Sequence, residues 1–325
     1  MFYPHVIEDI CFDQDHIDFV WNEMQANIRI YFKKFIDTEA GHTAPDSELE
    51  KLAEKFGATH KPKSKPKDSK KILERLLQEA VAAFESDRQK YSDVLNLDAL
   101  DEYSSDVSSF KNTILRNQIP IITKTLNNTT AKELDKFRSA FGMSQPGELF
   151  NVTSNITNLA NELHTDWYST KIFESIDHYD RLGYHAFDSE DYTVYGAIGG
   201  GIKSHFIYKL FPEMFPNRSR EAVWALYYLT DKKNFNCKED SEFLMINADE
   251  GTTQQNYFYP YGLFAFYALR IFNLIKKLYA EHGVTIPEEY RFVPVDQFLS
   301  FVSRSHQTEI DYLKQKSKIS HQYEH

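Results

Sequence analysis

The segment YGAIGGGIKSHF, residues 195–206, places three consecutive glycines directly before Ile202, Lys203 and Ser204. The chain has only 12 glycines in total, so this grouping marks a place where the backbone must come close to another group. Glycine carries no side chain and tolerates unusual backbone angles, so its N–H groups can approach a phosphate. The segment therefore predicts either an anion-binding backbone or a close contact between helices.

Two nucleotide-binding motifs fit this segment poorly. A P-loop needs its lysine directly after the last glycine, whereas Ile202 separates Gly201 from Lys203. A dinucleotide-binding fingerprint needs a glycine where Ser204 stands, followed by a parallel βαβ pattern that this chain lacks. We therefore expect no nucleotide and no other cofactor.

The segment resembles the hairpin of the helix-hairpin-helix superfamily of DNA-binding proteins, and the likeness covers residues 197–230. In that pattern, glycines, a lysine and a hydroxyl residue open the second helix. The resemblance implies that backbone amides at a helix N-terminus hold a nucleic-acid backbone without reading the bases. The expected nucleic-acid-binding residues are Gly199, Gly200, Gly201, Lys203, Ser204, Arg218 and Arg220.

The likeness continues into LFPEMFPNRSREAVWAL, residues 210–226. This stretch looks like the hydrophobic-Pro step and next helix of the DNA-glycosylase and restriction-associated branches. The glycosylase branch has its catalytic Asp just after that step, where this chain has Asn217, Arg218, Ser219 and Arg220. The resemblance thus implies DNA binding in a DNA-processing or phage-defence system, with the glycosylase chemistry lost.

The composition indicates a folded, acidic protein. The chain has 325 residues, a net charge of -11 and 42% hydrophobic residues, which suits one large domain or two ordinary ones. Net acidity argues against a protein that coats nucleic acid through bulk charge. A local basic site stays compatible with it, because lysines and arginines are concentrated between residues 203 and 238.

Residues that could hold a metal ion or catalyse a reaction show no recognisable spacing. The two cysteines, Cys11 and Cys237, are too few for a disulfide framework or a cysteine zinc site. The histidines show no short ligand spacing, and Asp249 and Glu250 have no matching ligand nearby. We therefore predict no metal site, and we assign no catalytic residue.

Helical periodicity dominates the chain. Apolar residues recur at intervals of three or four, and capping residues precede several of these stretches. The predicted helices lie within 16–36, 47–57, 70–91, 130–142, 155–176 and 261–281. Strand candidates are short, at 119–123, 192–196, 242–247 and 290–295. The sequence predicts a mostly α, multi-helical protein with at most a small β-ribbon or short sheet.

A break rich in Gly and Pro suggests two domains. We expect a helical N-terminal domain, residues 1–146, and a helical C-terminal domain, residues 147–325, that contains the helix-hairpin-helix-like motif. The lysine- and proline-rich stretch 59–71 is either a solvated connector or a basic arm that touches nucleic acid. The N-terminal helices would bind a protein partner or a second copy of the chain.

These patterns favour one function and leave two alternatives open. The favoured function is binding to a nucleic-acid backbone, with DNA preferred over RNA as the partner. The alternatives are a non-catalytic helical protein of interaction or regulation, and a nuclease or altered DNA-repair enzyme whose acids come from distant segments. Without a signal peptide or a long uncharged apolar run, we expect a cytoplasmic protein and no membrane partner.

Overall fold

The computed structural model describes residues 7–39, 68–131, 134–168, 173–238, 241–246 and 259–323. Within these ranges the secondary structure is helical, and the β-structure consists of one isolated antiparallel bridge between Val194 and Ile198. The predicted mostly α class is therefore confirmed. The helix predicted at 47–57 and residues 59–67 of the basic stretch 59–71 lie outside the described residues, whereas residues 69–71 begin a long helix.

The longer α-helices are numbered in chain order. They are α1 (Gln14–Glu39), α2 (Ser69–Val94), α3 (Leu97–Tyr103), α4 (Pro120–Asn127), α5 (Asp135–Met143), α6 (Pro146–Tyr168), α7 (Gly200–Leu210), α8 (Arg220–Leu229), α9 (Tyr261–Glu281), α10 (Val293–Ser305) and α11 (Gln307–Tyr323). A π-helical turn, Phe110–Leu115, lies between α3 and α4. Three short 3-10 helices, Tyr179–Leu182, Tyr184–Asp188 and Glu190–Tyr192, precede α7.

The helix ends follow local chemistry that the sequence displays. The Asp68 carboxylate accepts a hydrogen bond from the first turn of α2, and the Ser219 hydroxyl accepts one from the Ala222 amide at the start of α8. After α9, Gly283 adopts φ +71° and stops the helix. Periodicity and caps therefore predicted α1, α2 and α9 correctly.

The strand predictions at 119–123 and 290–295 were wrong. The first segment forms the start of α4, where Pro120 occupies the first turn and its missing N–H costs nothing. The second runs from a 3-10 turn into α10, whose first turn contains Pro294. A short apolar run cannot distinguish a buried strand from a buried helix face, and both of these runs are helix faces.

The other two strand candidates form no sheet within the described chain. Segment 192–196 contributes only the Val194 bridge, and the described part of 242–247 consists of turns and unpaired backbone. Both segments still bury their apolar side chains, including Val194, Phe243 and Met245. Their hydrophobic pattern therefore reports burial rather than strand pairing.

The hydrophobic core is built around α9. This helix packs against α1, α10 and the 3-10 helix Tyr184–Asp188, while α2 packs against α7 and α10. Helices from both sides of residue 146 contribute to one continuous cluster of buried side chains. Residue 146 is the first residue of α6, and a division into two separate domains there stays a prediction.

None of the described helices is both long enough and apolar enough to cross a membrane. The longest apolar one, α9, carries Arg270 and Lys276, which pair with Asp18 and Glu174 respectively. Its apolar residues are covered by the surrounding helices. The hydrophobicity of α9 therefore reflects its position at the centre of the core.

We expect Gly196→Ala to destabilise the protein. Gly196 has φ +78°, and a Cβ atom there would lie 2.8 Å from the Ala140 Cβ atom, so both backbone angle and space oppose a methyl group. The free energy of unfolding, measured with urea, should fall by about 2 kcal/mol.

The matched control is Gly199→Ala. A Cβ atom at Gly199 meets nothing within 4 Å, and the residue has φ -98°. This change should cost less than about 1 kcal/mol, the usual effect of replacing a glycine N-cap by alanine. Equal losses in the two variants would contradict this account of Gly196.

Candidate functional site

The glycine segment forms the N-terminus of α7. Gly199 is the N-cap residue, and Gly200 and Gly201 begin the first turn. The family resemblance implied an α-helix before the glycines, but the chain there contains 3-10 helices and the turn closed by the Val194–Ile198 bridge. Membership of the helix-hairpin-helix superfamily therefore stays a prediction that rests on sequence.

The Lys203 side chain points into the protein. It is 4% exposed, and its ammonium donates hydrogen bonds to the Phe187 carbonyl and, at 3.3 Å, to the Thr193 hydroxyl. Burial lowers the pKa of Lys203 to about 8. In this conformation the ammonium makes its hydrogen bonds inside the protein and does not point to a phosphate at the surface.

Ser204 and Arg218 connect the first turn of α7 to the segment before α8. The Ser204 hydroxyl donates to the Gly201 carbonyl at 3.1 Å and accepts from the Arg218 amide at 3.1 Å. The Arg218 side chain is 3% exposed, and burial lowers its pKa to about 10. The structure thus brings Gly201, Ser204 and Arg218 together, while Arg220 is the half-buried first residue of α8.

The Asp188 carboxylate explains why two basic side chains are buried here. It accepts hydrogen bonds from the amides of Tyr261 at 2.7 Å and Gly262 at 3.4 Å, which open α9. Burial raises the pKa of Asp188, whereas these amides and the charges of Lys203 and Arg218 act to lower it. The charges of the buried Lys203 and Arg218 side chains therefore balance the charge of a carboxylate that accepts hydrogen bonds from a helix N-terminus.

A separate feature is a cleft between α2, α7, α8 and α10, with a volume of about 490 Å³. His205 and Lys209 lie one helical turn apart and so share a face of α7. This face of the second half of α7 lines the cleft. Side chains that line it include Phe84, His205, Tyr208, Glu221, Asp296 and Arg304. The cleft therefore combines aromatic walls with several ionisable groups.

Asp296 is the carboxyl group whose ionisation is most altered in the cleft. Its Oδ1 atom accepts a hydrogen bond from Asn217 Nδ2 at 3.0 Å. Burial raises the pKa of Asp296 to about 7, and the neighbouring Glu221 charge adds to the rise, whereas Asn217 and Lys209 oppose it. Near neutral pH this carboxyl group can either donate or accept a proton.

His205 is held neutral beside it. Burial lowers the pKa of His205 to about 4, and the positive charge of Lys209 contributes. His205 Nε2 lies 3.1 Å from the Tyr91 hydroxyl, which also accepts a hydrogen bond from the Ile121 amide at 3.0 Å. The Tyr91 hydroxyl can therefore donate to His205 Nε2, which fixes the orientation of the imidazole ring.

Lys209 supplies a fixed positive charge at the base of the cleft. Its ammonium donates to Asp87 Oδ1 at 2.7 Å and to the Phe84 carbonyl at 2.6 Å, and it lies 4.4 Å from the Phe84 ring centre. Burial acts to raise the pKa of Asp87, but the hydrogen bond and charge of Lys209 outweigh it and lower that pKa overall. The contact of Lys209 with Asp87 and Phe84 therefore positions α7 against α2.

Sequence reasoning missed Asp296, His205 and Asn217 as members of one site. They come from α10, α7 and the segment before α8, and Asp296 is 79 residues from Asn217 in sequence. The sequence contained one signal of this site, since His205 and Lys209 are polar residues at helical spacing among apolar neighbours in α7.

Within the described part of the chain, side chains suited to hold a metal ion cluster at Cys11, His16, Cys237 and Glu242.

Comparison with known proteins identifies no relative. Neither a protein-family model, nor a curated protein, nor a solved structure matches this chain. Function therefore has to be argued from the chemistry of the sites.

The raised pKa of Asp296 predicts a specific pH dependence of stability. The carboxyl pKa rises from 3.8 to about 7 on folding, so the folded chain keeps a proton that the unfolded chain releases. The contribution of Asp296 to stability is then greatest at low pH and is lost as the pH rises toward 7. Between pH 5 and pH 7 the wild type should lose about 2 kcal/mol relative to Asp296→Asn.

Urea unfolding of both proteins at the two pH values measures this difference. The titration of other groups, including His205, is common to both proteins and cancels to a first approximation. Asp311→Asn, which changes an exposed carboxylate on α11, is the matched control and should show no such change. A constant difference between wild type and Asp296→Asn would mean that Asp296 is not perturbed.

Proposed function

We propose that the protein is an enzyme in which Asp296 transfers a proton to or from a small polar molecule held in the cleft. The observation that carries this proposal is a carboxyl group with a pKa near 7 in the wall of an open cleft. Acid–base catalysis is most effective when the pKa of the group lies close to the working pH. Strongly perturbed ionisable groups in clefts also concentrate at functional sites.

The neighbours of Asp296 have complementary roles. Asn217 donates to one carboxyl oxygen and orients the group, so it is a positioning residue. With a pKa of about 4, His205 stays uncharged at neutral pH, and Lys209 is held by Asp87 and the backbone. Asp296 is therefore the group in this set that changes its protonation state near pH 7.

The walls of the cleft indicate the substrate class. Phe84 and Tyr208 offer apolar surface, while the exposed Glu221 and Arg304 place both signs of charge at the edge. Such a lining suits a small molecule with an apolar portion and several hydrogen-bonding groups. This proposal shares one feature with the third sequence-based function, a nuclease or altered DNA-repair enzyme: its acidic residue comes from a distant segment of the chain.

A panel of small chromogenic esters, amides, glycosides and phosphate esters, assayed with purified protein, tests the enzyme proposal. We expect turnover of at least one class, with an inflection near pH 7 in the pH–rate profile. Asp296→Asn should lower the rate by about 100-fold or more and remove that inflection, because a general acid or base contributes about 10²–10⁴-fold.

The controls separate chemistry from folding. Asp311→Asn should leave the rate unchanged, and circular dichroism should show that Asp296→Asn remains folded. Turnover that survives in Asp296→Asn, or a complete absence of turnover across the panel, would contradict the proposal.

Binding of a nucleic-acid backbone is the second proposal. It is supported by the 11-residue helix α7, whose N-cap glycine has open space around it, and by the basic residue Arg220, which begins α8. DNA remains the preferred partner, and a role in phage defence is an expectation of the family resemblance. Association through the N-terminal helices with a protein or a second copy likewise stays a prediction.

Fluorescence anisotropy with labelled duplex DNA, single-stranded DNA and RNA at several salt concentrations tests this second proposal. Arg220→Gln should weaken binding and reduce the salt slope by about one. Lys277→Gln, an exposed change on α9, is the matched control. Lys203→Glu is a poor probe because it buries a new negative charge near Asp188. Equal binding by wild type and Arg220→Gln, or none at low salt, would contradict the proposal.

A further inference from the structure

We propose that Cys11, His16, Cys237 and Glu242 form a zinc-binding site. All four side chains are buried, and their four ligand atoms lie within 4.8 Å of one another. Thiolate, imidazole and carboxylate are the three ligand types that zinc takes in proteins, and four protein ligands are typical of a structural site. The site is independent of the cleft and of the function proposed for it.

The distances suit a tetrahedral ion. The Sγ atoms of Cys11 and Cys237 are 3.9 Å apart. Two sulfur atoms bound to one zinc ion in tetrahedral geometry are about 3.8 Å apart, given Zn–S bonds of about 2.3 Å. His16 Nε2 and Glu242 Oε2 are 2.9 Å apart, and sharing a zinc ion requires about 3.3 Å. Only a small opening of this second pair is needed.

The ligands come from two local pairs with the same spacing. Cys11 lies in the 3-10 helix Asp9–Phe12 and His16 in the first turn of α1, while Cys237 and Glu242 follow α8. Each contact between the pairs spans 226 residues of sequence. A bound ion would therefore fasten the beginning of α1 to the chain that follows α8.

The surroundings of the cluster favour a dry, closed site. The Phe235 ring lies edge-on to the His16 ring, with centres 6.5 Å apart. The hydroxyls of Tyr259 and Tyr267 are buried and have no hydrogen-bond partner among the residues that the structure describes. Both tyrosines lie within electrostatic range of Cys11 and Glu242. Such hydroxyls are suited to donate to metal-bound thiolate or carboxylate.

The loop between α8 and Cys237 has a strained backbone that a bound metal ion would hold in place. Residues with positive φ other than glycine are uncommon and strained, especially when the side chain is bulky. Within the described chain, these residues are Asp231, Lys232, Phe235 and Asn236, all in this loop. Strained backbone persists where the surrounding structure holds it, and a metal ion bound by the adjacent Cys237 would do so.

The main competing interpretation is a redox-active thiol pair. At 3.9 Å the two sulfur atoms are not bonded, since a disulfide is about 2.05 Å long, but a small movement could join them under oxidising conditions. A disulfide would use only the cysteines and leave the His16–Glu242 contact unexplained. The zinc interpretation involves all four side chains.

Metal titration of the reduced, chelator-treated full chain tests the proposal. Addition of Co²⁺ should produce the near-ultraviolet band of thiolate-to-cobalt charge transfer and the visible bands of a tetrahedral ion. One equivalent of Zn²⁺ should abolish these bands. Cys237→Ser and His16→Gln should each weaken Zn²⁺ binding by about 100-fold or more.

The matched control is His164→Gln, because His164 and Glu213 form another His–Glu contact, at 3.0 Å. This variant should bind Zn²⁺ as the wild type does. Elemental analysis of wild type purified without chelator gives a second measurement that does not depend on refolding, and one zinc per chain is expected. Reduced wild type without a charge-transfer band, or Cys237→Ser with unchanged affinity, would overturn the proposal. A disulfide that forms in place of metal binding would also overturn it.

Discussion

The N-terminus of α9 is held inside the protein by the Asp188 carboxylate, and much of the structure depends on this interaction. Because α9 is buried along most of its length, the amides that open it cannot rely on water. Asp188 satisfies the amides of Tyr261 and Gly262. The positive charges of the buried Lys203 and Arg218 side chains act to lower the pKa of this carboxylate and so favour its ionised form. The core helix and the glycine segment are therefore coupled through charge.

This coupling gives α7 two distinct roles. Its N-terminal end contains the glycines, Lys203 and Ser204. Lys203 donates hydrogen bonds to the Phe187 carbonyl and the Thr193 hydroxyl, and Ser204 joins α7 to the chain before α8. Its second half presents His205 and Lys209 to the cleft. At Gly201 the α7 backbone packs beside Arg218, and an added Cβ would lie in ordinary van der Waals contact, 3.9 Å from the Arg218 carbonyl oxygen. Helix packing is one of the two interpretations that the glycine pattern permitted.

The sequence predicted the helices better than it predicted the site. Hydrophobic periodicity and helix-end signals suffice to predict α1, α2 and α9, because both kinds of signal lie in neighbouring residues. The short apolar run 119–123 does not distinguish a strand from a helix. The direction of the Lys203 side chain depends on the Phe187 carbonyl and the Thr193 hydroxyl, which the tertiary fold brings to its ammonium. The two halves of the Cys and His cluster are 226 residues apart. No local spacing encodes either arrangement.

The most direct test of the central claim is a double-mutant cycle between Asp188→Asn and Lys203→Met, with the free energy of unfolding measured in urea. If Lys203 compensates the Asp188 charge, the double variant should be more stable than the sum of the single losses implies, by at least about 1 kcal/mol. Losses that add to within about 0.5 kcal/mol would show that the two groups are energetically independent. The account of the glycine segment as an internal support of α9 would then be contradicted.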